Sequence, residues 1–253
     1  MRSRLARGGV ALGTMVFEFN TLGLPRILAA AGADFVLIDL EHTGWGYEGI
    51  RPLLTAARAE HVAPLVRVQG SARHLISPAL DLGAHGVMVP MVDGAIEAER
   101  VVQAARFAPH GGRGFGLLYP DQLAAGVGAA MEAAEAATLV ILQIETPAGL
   151  EHVEEIAATP GVDALWIGQF DLSVALGFPG AFDDPRMAAA EDRMLAACAA
   201  AGVAAGILVG SVEVARGMLA RGFRMLALGS DIDLYGTALR SGLDALRTGG
   251  ESA

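Results

Sequence analysis

Short uninterrupted apolar runs alternate along this chain with longer alanine- and leucine-rich stretches whose apolar residues recur at helical spacing. Eight runs read as strands: Val10 to Phe17, Asp34 to Asp39, Ala63 to Val68, Gly86 to Pro90, Leu139 to Glu145, Ala164 to Gly168, Val203 to Val209 and Arg224 to Gly229. Strands that are apolar throughout are buried on both faces, as in a parallel sheet covered by helices. The stretches between them predict helices over Pro25–Ala31, Tyr47–Ala59, Ala95–Arg106, Gly149–Ala158, Pro185–Ala201 and Ser211–Arg221. Eight such units in 253 residues predict an α/β fold, a (β/α)8 TIM barrel occupying residues 1–253 as one domain. An open doubly wound sheet would carry a glycine-rich fingerprint after its first strand, where this chain has Glu18-Phe19-Asn20-Thr21. The interval from Met91 to Thr138 is too long for one helix. It predicts a helix, an irregular active-site loop around Gly111-Gly112-Arg113-Gly114-Phe115-Gly116, and a second helix.

Composition narrows the function. A hydrophobic share of 53% is enough for one large core, and a net charge of -10 with no basic run argues against nucleic acid and anionic membrane surfaces. No window of about 18 apolar residues is present, so no membrane span is expected. Cys198 is the only cysteine, which excludes an intrachain disulfide and a structural zinc cluster and fits a cytoplasmic protein. It reads as a core or helix-packing residue. The segment from Arg2 to Phe17 has the charge pattern of a signal peptide, but Glu18 and Asn20 stand where a cleavage site would, so an ordinary first strand is expected. All 18 basic residues are arginine. Without lysine there is no Schiff-base aldolase, no pyridoxal-phosphate enzyme and no P-loop nucleotide hydrolase.

In barrels of this kind the chemistry sits at the C-terminal ends of the strands. Four ends carry polar residues there: Asp39-Leu40-Glu41-His42, Arg67, Gln143-Ile144-Glu145-Thr146 and Gly168-Gln169-Phe170-Asp171. Glu145 and Asp171 follow consecutive strands, and two carboxylates completed by water and a chelating substrate suit Mg²⁺ or Mn²⁺. Read singly, Glu145 could instead pair with an arginine, and Asp171 could cap a helix beginning near Leu172-Ser173. Arg67 interrupts an apolar strand, so it must be paired or meet a ligand. Its partners are Asp39 or Glu41, a developing enolate or carboxylate, or both. His42 stands where strand gives way to loop, beside carboxylates that could hold one ring tautomer. The other five histidines read as structural, and Trp166 as barrel core.

At these residues the chain resembles the HpcH/HpaI aldolase family, class II enzymes typified by 4-hydroxy-2-oxoheptanedioate aldolase. The likeness covers nearly the whole chain. It is carried by residues 29 to 42, Leu65-Val66-Arg67-Val68, residues 80 to 93, Arg113-Gly114, Gln143-Ile144-Glu145-Thr146, residues 167 to 173 and Leu176-Gly177. The resemblance implies a phosphoenolpyruvate/pyruvate-type barrel that reversibly cleaves a 4-hydroxy-2-oxo acid into pyruvate, or a close 2-oxo acid, and an aldehyde. It implies that Glu145 and Asp171 bind the divalent metal, with Co²⁺ a further candidate. It gives His42 acid–base work supported by Asp39, assigns Arg67 to the enolate, and puts Gln143, Gly168, Gln169 and Phe170 against the substrate. It also implies an inter-subunit role for Asp81 in a homohexamer built as a trimer of dimers. Two departures bear on the aldehyde half. Gln169-Phe170 replaces the Pro-Ala of many members, and Val16-Phe17-Glu18-Phe19 stands where many carry Trp.

Two other readings use the same residues. A citryl- or malyl-CoA lyase would need a longer chain and basic residues for the CoA phosphates. A non-catalytic oxo-acid-binding barrel would have no use for the complete set of His42, Arg67, Glu145 and Asp171.

Overall fold

A computed structural model describes residues 1–116 and 126–249. Eight parallel strands close in sequence order into a barrel: β1 (Ala11–Val16), β2 (Phe35–Asp39), β3 (Ala63–Arg67), β4 (Gly86–Val89), β5 (Leu139–Ile144), β6 (Ala164–Ile167), β7 (Ala204–Val209) and β8 (Met225–Ser230). Each expected strand forms. The expected bounds differ from the observed ones by at most one residue at either end.

The helices, in chain order among the described residues, are α1 (Arg2–Leu5), α2 (Leu24–Ala30), α3 (Tyr47–Ala59), α4 (Arg73–Asp81), α5 (Ala95–Ala105), α6 (Val127–Ala137), α7 (Pro147–Glu151), α8 (Val153–Ala157), α9 (Gln169–Ala175), α10 (Pro185–Ala201), α11 (Val212–Arg221) and α12 (Asp231–Gly249). Several depart from expectation. The N-terminal segment begins with the short helix α1 rather than entering directly into strand, and Leu5 with Met1 packs on the interior apolar cluster. The helix expected over Gly149–Ala158 is two, divided at His152, whose backbone leaves helical geometry at φ -104° and ψ 17°. The long interval after β4 contains the two expected helices, α5 and α6. Part of the loop between them, residues 117–125, lies outside the described residues.

Strand parity decides what the barrel holds. Alternate side chains of a strand point to opposite sides. Phe35 and Leu37 of β2, Leu65 of β3, Leu139 and Ile141 of β5 and Trp166 of β6 fill the interior, while Val36, Ile38, Val66, Val140, Leu142 and Leu165 pack outward with the helices. Counting on by two from the interior residues reaches Asp39, Arg67, Gln143, Glu145 and Gly168 at the C-terminal mouth.

The opposite end is closed by a buried ion network. Arg106 donates to Asp163 Oδ2 at 2.5 Å, to Thr138 O at 3.1 Å and to Gly161 O at 2.9 Å, and Arg2 Nε binds Asp163 Oδ1 at 2.7 Å. Among the described residues no helix is long and apolar enough to cross a membrane.

Candidate active site

Asp39 is fully buried and faces Arg67, its register partner on β3. Arg67 Nε donates to Asp39 Oδ1 at 2.6 Å and lies 3.3 Å from Glu41 Oε2. The Arg67 guanidinium also stands 5.8 Å from the centre of the Phe17 ring. Asp39 further accepts the backbone N–H groups of Glu41 at 3.2 Å and His42 at 2.9 Å, which turns the chain sharply as β2 ends. The carboxylate beside the His42 ring is therefore Glu41, with Oε2 3.6 Å from Nε2. Asp39 holds the histidine's backbone. Burial raises the Glu41 carboxyl above its usual range, against the pull of Arg67 and His42.

Glu145 lies just past β5 and is 2% exposed. Among the described residues no arginine is in hydrogen-bond contact with it. Oε1 accepts the backbone N–H of Met91 at 2.8 Å, and Oε2 accepts Gln143 Nε2 at 2.5 Å. Burial pushes its carboxyl up to about 7, and the nearby charges of Glu41 and Asp171 add to the rise. Gly168 closes the other side. A Cβ there would meet Glu145 Oε2, would lie 2.6 Å from Glu145 Cβ, and would lie 2.7 Å from Gln143 Nε2, so only glycine lets β6 pass this close.

Gly168 is also the N-cap of α9, so that helix begins at Gln169, earlier than expected. Asp171 accordingly stands inside the first turn and not at the cap, where its charge is favoured by the helix dipole. Gln169 lines the mouth and donates to Leu208 O at 2.7 Å. Phe170 is exposed and meets Phe182 edge-on, ring centres 4.9 Å apart.

A cavity of about 250 Å³ is lined by Phe17, His42, Arg67, Gln143, residues 168–171 and their neighbours, while Asp39, Glu41 and Glu145 stand behind that lining. Asp81 is not among them. It ends α4, at the opposite end of the barrel, and binds Arg113 at 2.6 Å. Among the described residues no group of three or more His, Cys, Asp or Glu is placed to hold a metal ion, so protein side chains alone form no cage.

Sequence reasoning missed Asp231, just past β8. Its buried carboxylate accepts the N–H groups of Phe17 at 3.0 Å, Glu18 at 2.9 Å and Phe19 at 2.6 Å, pinning the chain after β1 over the cavity. The rule that singled out four strand ends applied equally to Ser230-Asp231-Ile232-Asp233, which also carries the capping-box spacing. Residues expected to be structural sit accordingly. Trp166 fills the barrel interior, burial pushes the Cys198 thiol up to about 12, and burial beside Arg58 takes His85 down to about 4.

The HpcH/HpaI aldolase/citrate lyase family matches residues 19–238. The chain belongs to this family. The hydroxypyruvate/pyruvate aldolase of Chromohalobacter salexigens is 40% identical over 85% of this chain and 85% of its own. The 2-dehydro-3,6-dideoxy-6-sulfogluconate aldolase of Pseudomonas putida is 34% identical over 96% of this chain and 95% of its own. A solved HpcH/HpaI aldolase/citrate lyase family protein from Burkholderia cenocepacia superposes with a TM-score of 0.86, at 33% identity over 97% of this chain and 98% of that one. As a member of this family, the chain is a carbon–carbon lyase.

Proposed function

We propose that this lyase is a class II aldolase that uses a divalent metal, Mg²⁺ or Mn²⁺, to cleave a 4-hydroxy-2-oxo acid reversibly into pyruvate and an aldehyde. The observation that carries the reading is a surplus of buried acceptors at the mouth. Among the described residues Gln143 Oε1 is buried without a hydrogen-bond partner, Glu41 Oε2 has only its ion-pair contacts with Arg67 and His42, and Glu145 is buried among the charges of Glu41 and Asp171 with Arg67 as its counter-charge. A cation at the mouth would offset this surplus of negative charge and unfilled acceptors, and carboxylate and amide oxygens are the donors that hard cations take. In this reading Glu145 and Asp171 hold the ion. When bound, it supplies Lewis-acid polarisation of the 2-oxo group.

The rest falls to the chain's own side chains. Arg67, locked by Asp39, presents a fixed positive charge to the oxygen on which negative charge gathers as the C3–C4 bond breaks. His42 Nε2 accepts the C4 hydroxyl proton, with Glu41 placed to stabilise the charged ring. The aldehyde leaves and the enolate carbon takes up a proton to give pyruvate. Backbone N–H groups of Gln169, Phe170 and Asp171 meet the substrate carboxylate, the Gly168 N–H being taken by Ile144 O at 3.0 Å, and Gln143 holds Glu145 in place.

The reading extends to assembly. Its support is the apolar surface of α12, where Ile232, Leu234, Tyr235, Leu239, Leu243 and Leu246 are exposed, an area that a homo-oligomer would cover. In such an assembly Asp81 would serve a neighbouring subunit's site.

The test is pyruvate release from a 4-hydroxy-2-oxo acid by protein stripped with chelator, then supplied with Mn²⁺ or Mg²⁺. Activity should disappear on stripping and return with the ion. Full activity in stripped protein overturns the reading.

A further inference from the structure

A second pocket, of about 540 Å³, adjoins the catalytic cavity. The two share Gln169, Phe170, Leu208 and Asp233 as lining residues, so these side chains form the wall between them. The larger one runs outward between β7, α10 and α11. Its walls are mainly aromatic and aliphatic, with Phe182, Val214 and Met218 facing Phe170 and Leu208.

The polar groups on these walls are mostly engaged within the protein. Gln169 donates to Leu208 O at 2.7 Å, Ser211 Oγ accepts Val214 N–H at 3.2 Å, and Asp233 accepts the Ser230 hydroxyl at 2.7 Å. The buried Glu191 is bound by Arg221, which also binds Asp192 at 2.8 Å. The charged residues lining the pocket are Asp183, Glu191 and Asp233, all acidic, and no arginine lines it. A ligand group entering this space meets apolar surface and negative charge.

We infer that this pocket is the subsite for the carbon chain of the aldehyde half, selecting uncharged apolar aldehydes over carboxylate-, sulfonate- or phosphate-bearing ones. The inference rests on the aldolase reading above. In the addition direction the pyruvate methyl group loses one proton, its carbon bonds to the aldehyde carbonyl carbon, and the carbonyl oxygen gains one proton, so no further reactant is required. The chain beyond that carbon extends away from the reacting atoms, and the apolar pocket lies directly behind the shared side chains. Transfer of apolar carbon from water is worth roughly fourfold in binding per methylene fully buried.

The experiment uses Mn²⁺-loaded protein with pyruvate as donor and propanal, hexanal or 4-oxobutanoate as acceptor. Deuterium exchange into the pyruvate methyl group serves as a readout independent of the aldehyde. Hexanal should exceed propanal in kcat/KM by on the order of tenfold, and 4-oxobutanoate should fall below both. Val214→Trp and Met218→Trp, on α11 and outside the catalytic set, should abolish the hexanal advantage while leaving propanal addition and deuterium exchange within about twofold of the parent. Val214 is exposed, so at least that variant should fold, as checked by thermal melting. Exchange without any dependence on chain length, as when a second copy of the chain covers the pocket, overturns the inference. So does a preference for 4-oxobutanoate. Absence of metal-dependent exchange in the parent overturns the aldolase reading itself.

Discussion

The backbone N–H of Met91 donates to Glu145 Oε1 at 2.8 Å, and Met91 makes that bond from the left-handed region, at φ 55°. A non-glycine residue rarely occupies this conformation, and the strain is of order 1–3 kcal/mol. The bond therefore ties the end of β4 to the carboxylate after β5 and, with the Gln143 amide on the other oxygen, fixes the orientation of Glu145.

Glu145→Gln and Asp171→Asn should each reduce pyruvate release by on the order of 1,000-fold or more, because a metal's contribution to transition-state charge is several kcal/mol. Folding should be retained. Steady-state kinetics across a Mn²⁺ titration, with circular dichroism as the control, measures both.

The metal-free protein should lose stability as pH rises. Glu145 titrates near pH 4.5 when unfolded and at about 7 when folded. Between those values the folded state binds more protons, so its advantage is complete below about 4.5 and is lost as pH climbs through about 7. The loss is at most about 3 kcal/mol. Urea unfolding at pH 4.5 and 7.5 should show it in the parent, and Glu145→Gln should remove this part of the slope.

Arg67→Ala should destabilise the fold as well as the reaction. It leaves the fully buried Asp39 without its cation, at a cost of about 3–5 kcal/mol. Replacing both, as Arg67→Met with Asp39→Leu, should recover much of the stability and none of the activity. Denaturant midpoints and pyruvate assays separate the two effects.

Gly168→Ala should push Glu145 and Gln143 apart and cost about 1–3 kcal/mol through overpacking. Mn²⁺ affinity should fall on the order of 10- to 100-fold, as read by isothermal titration. A variant that binds the ion like the parent would show that Gly168 does not shape the Glu145 setting.

Asp231→Ala strands three N–H groups after β1 and should cost about 1–3 kcal/mol. Hydrogen exchange at Phe17, Glu18 and Phe19 should accelerate, and KM should rise more than kcat falls.

Local information was sufficient for the barrel and for the direction of its polar residues. Apolar runs set the strands, and period two along each strand carries Asp39, Arg67, Gln143, Glu145 and Gly168 to the mouth once the interior residues are known. The missing lysine excluded Schiff-base chemistry with no reference to structure. The partners of those residues were decided only by the closed sheet. Glu145 is held by a backbone amide 54 residues away and Phe17 by a carboxylate 214 residues away, and no local pattern encodes such a pairing. The same holds for Asp39, which supports the His42 backbone while Glu41 faces the ring, and for Gln169, which spends its amide on Leu208. Burial and hydrogen bonding depend on which strands become neighbours. The sequence therefore determined which groups reach the mouth, and the tertiary structure decided which of them are bound, which are strained and which remain open to a cation.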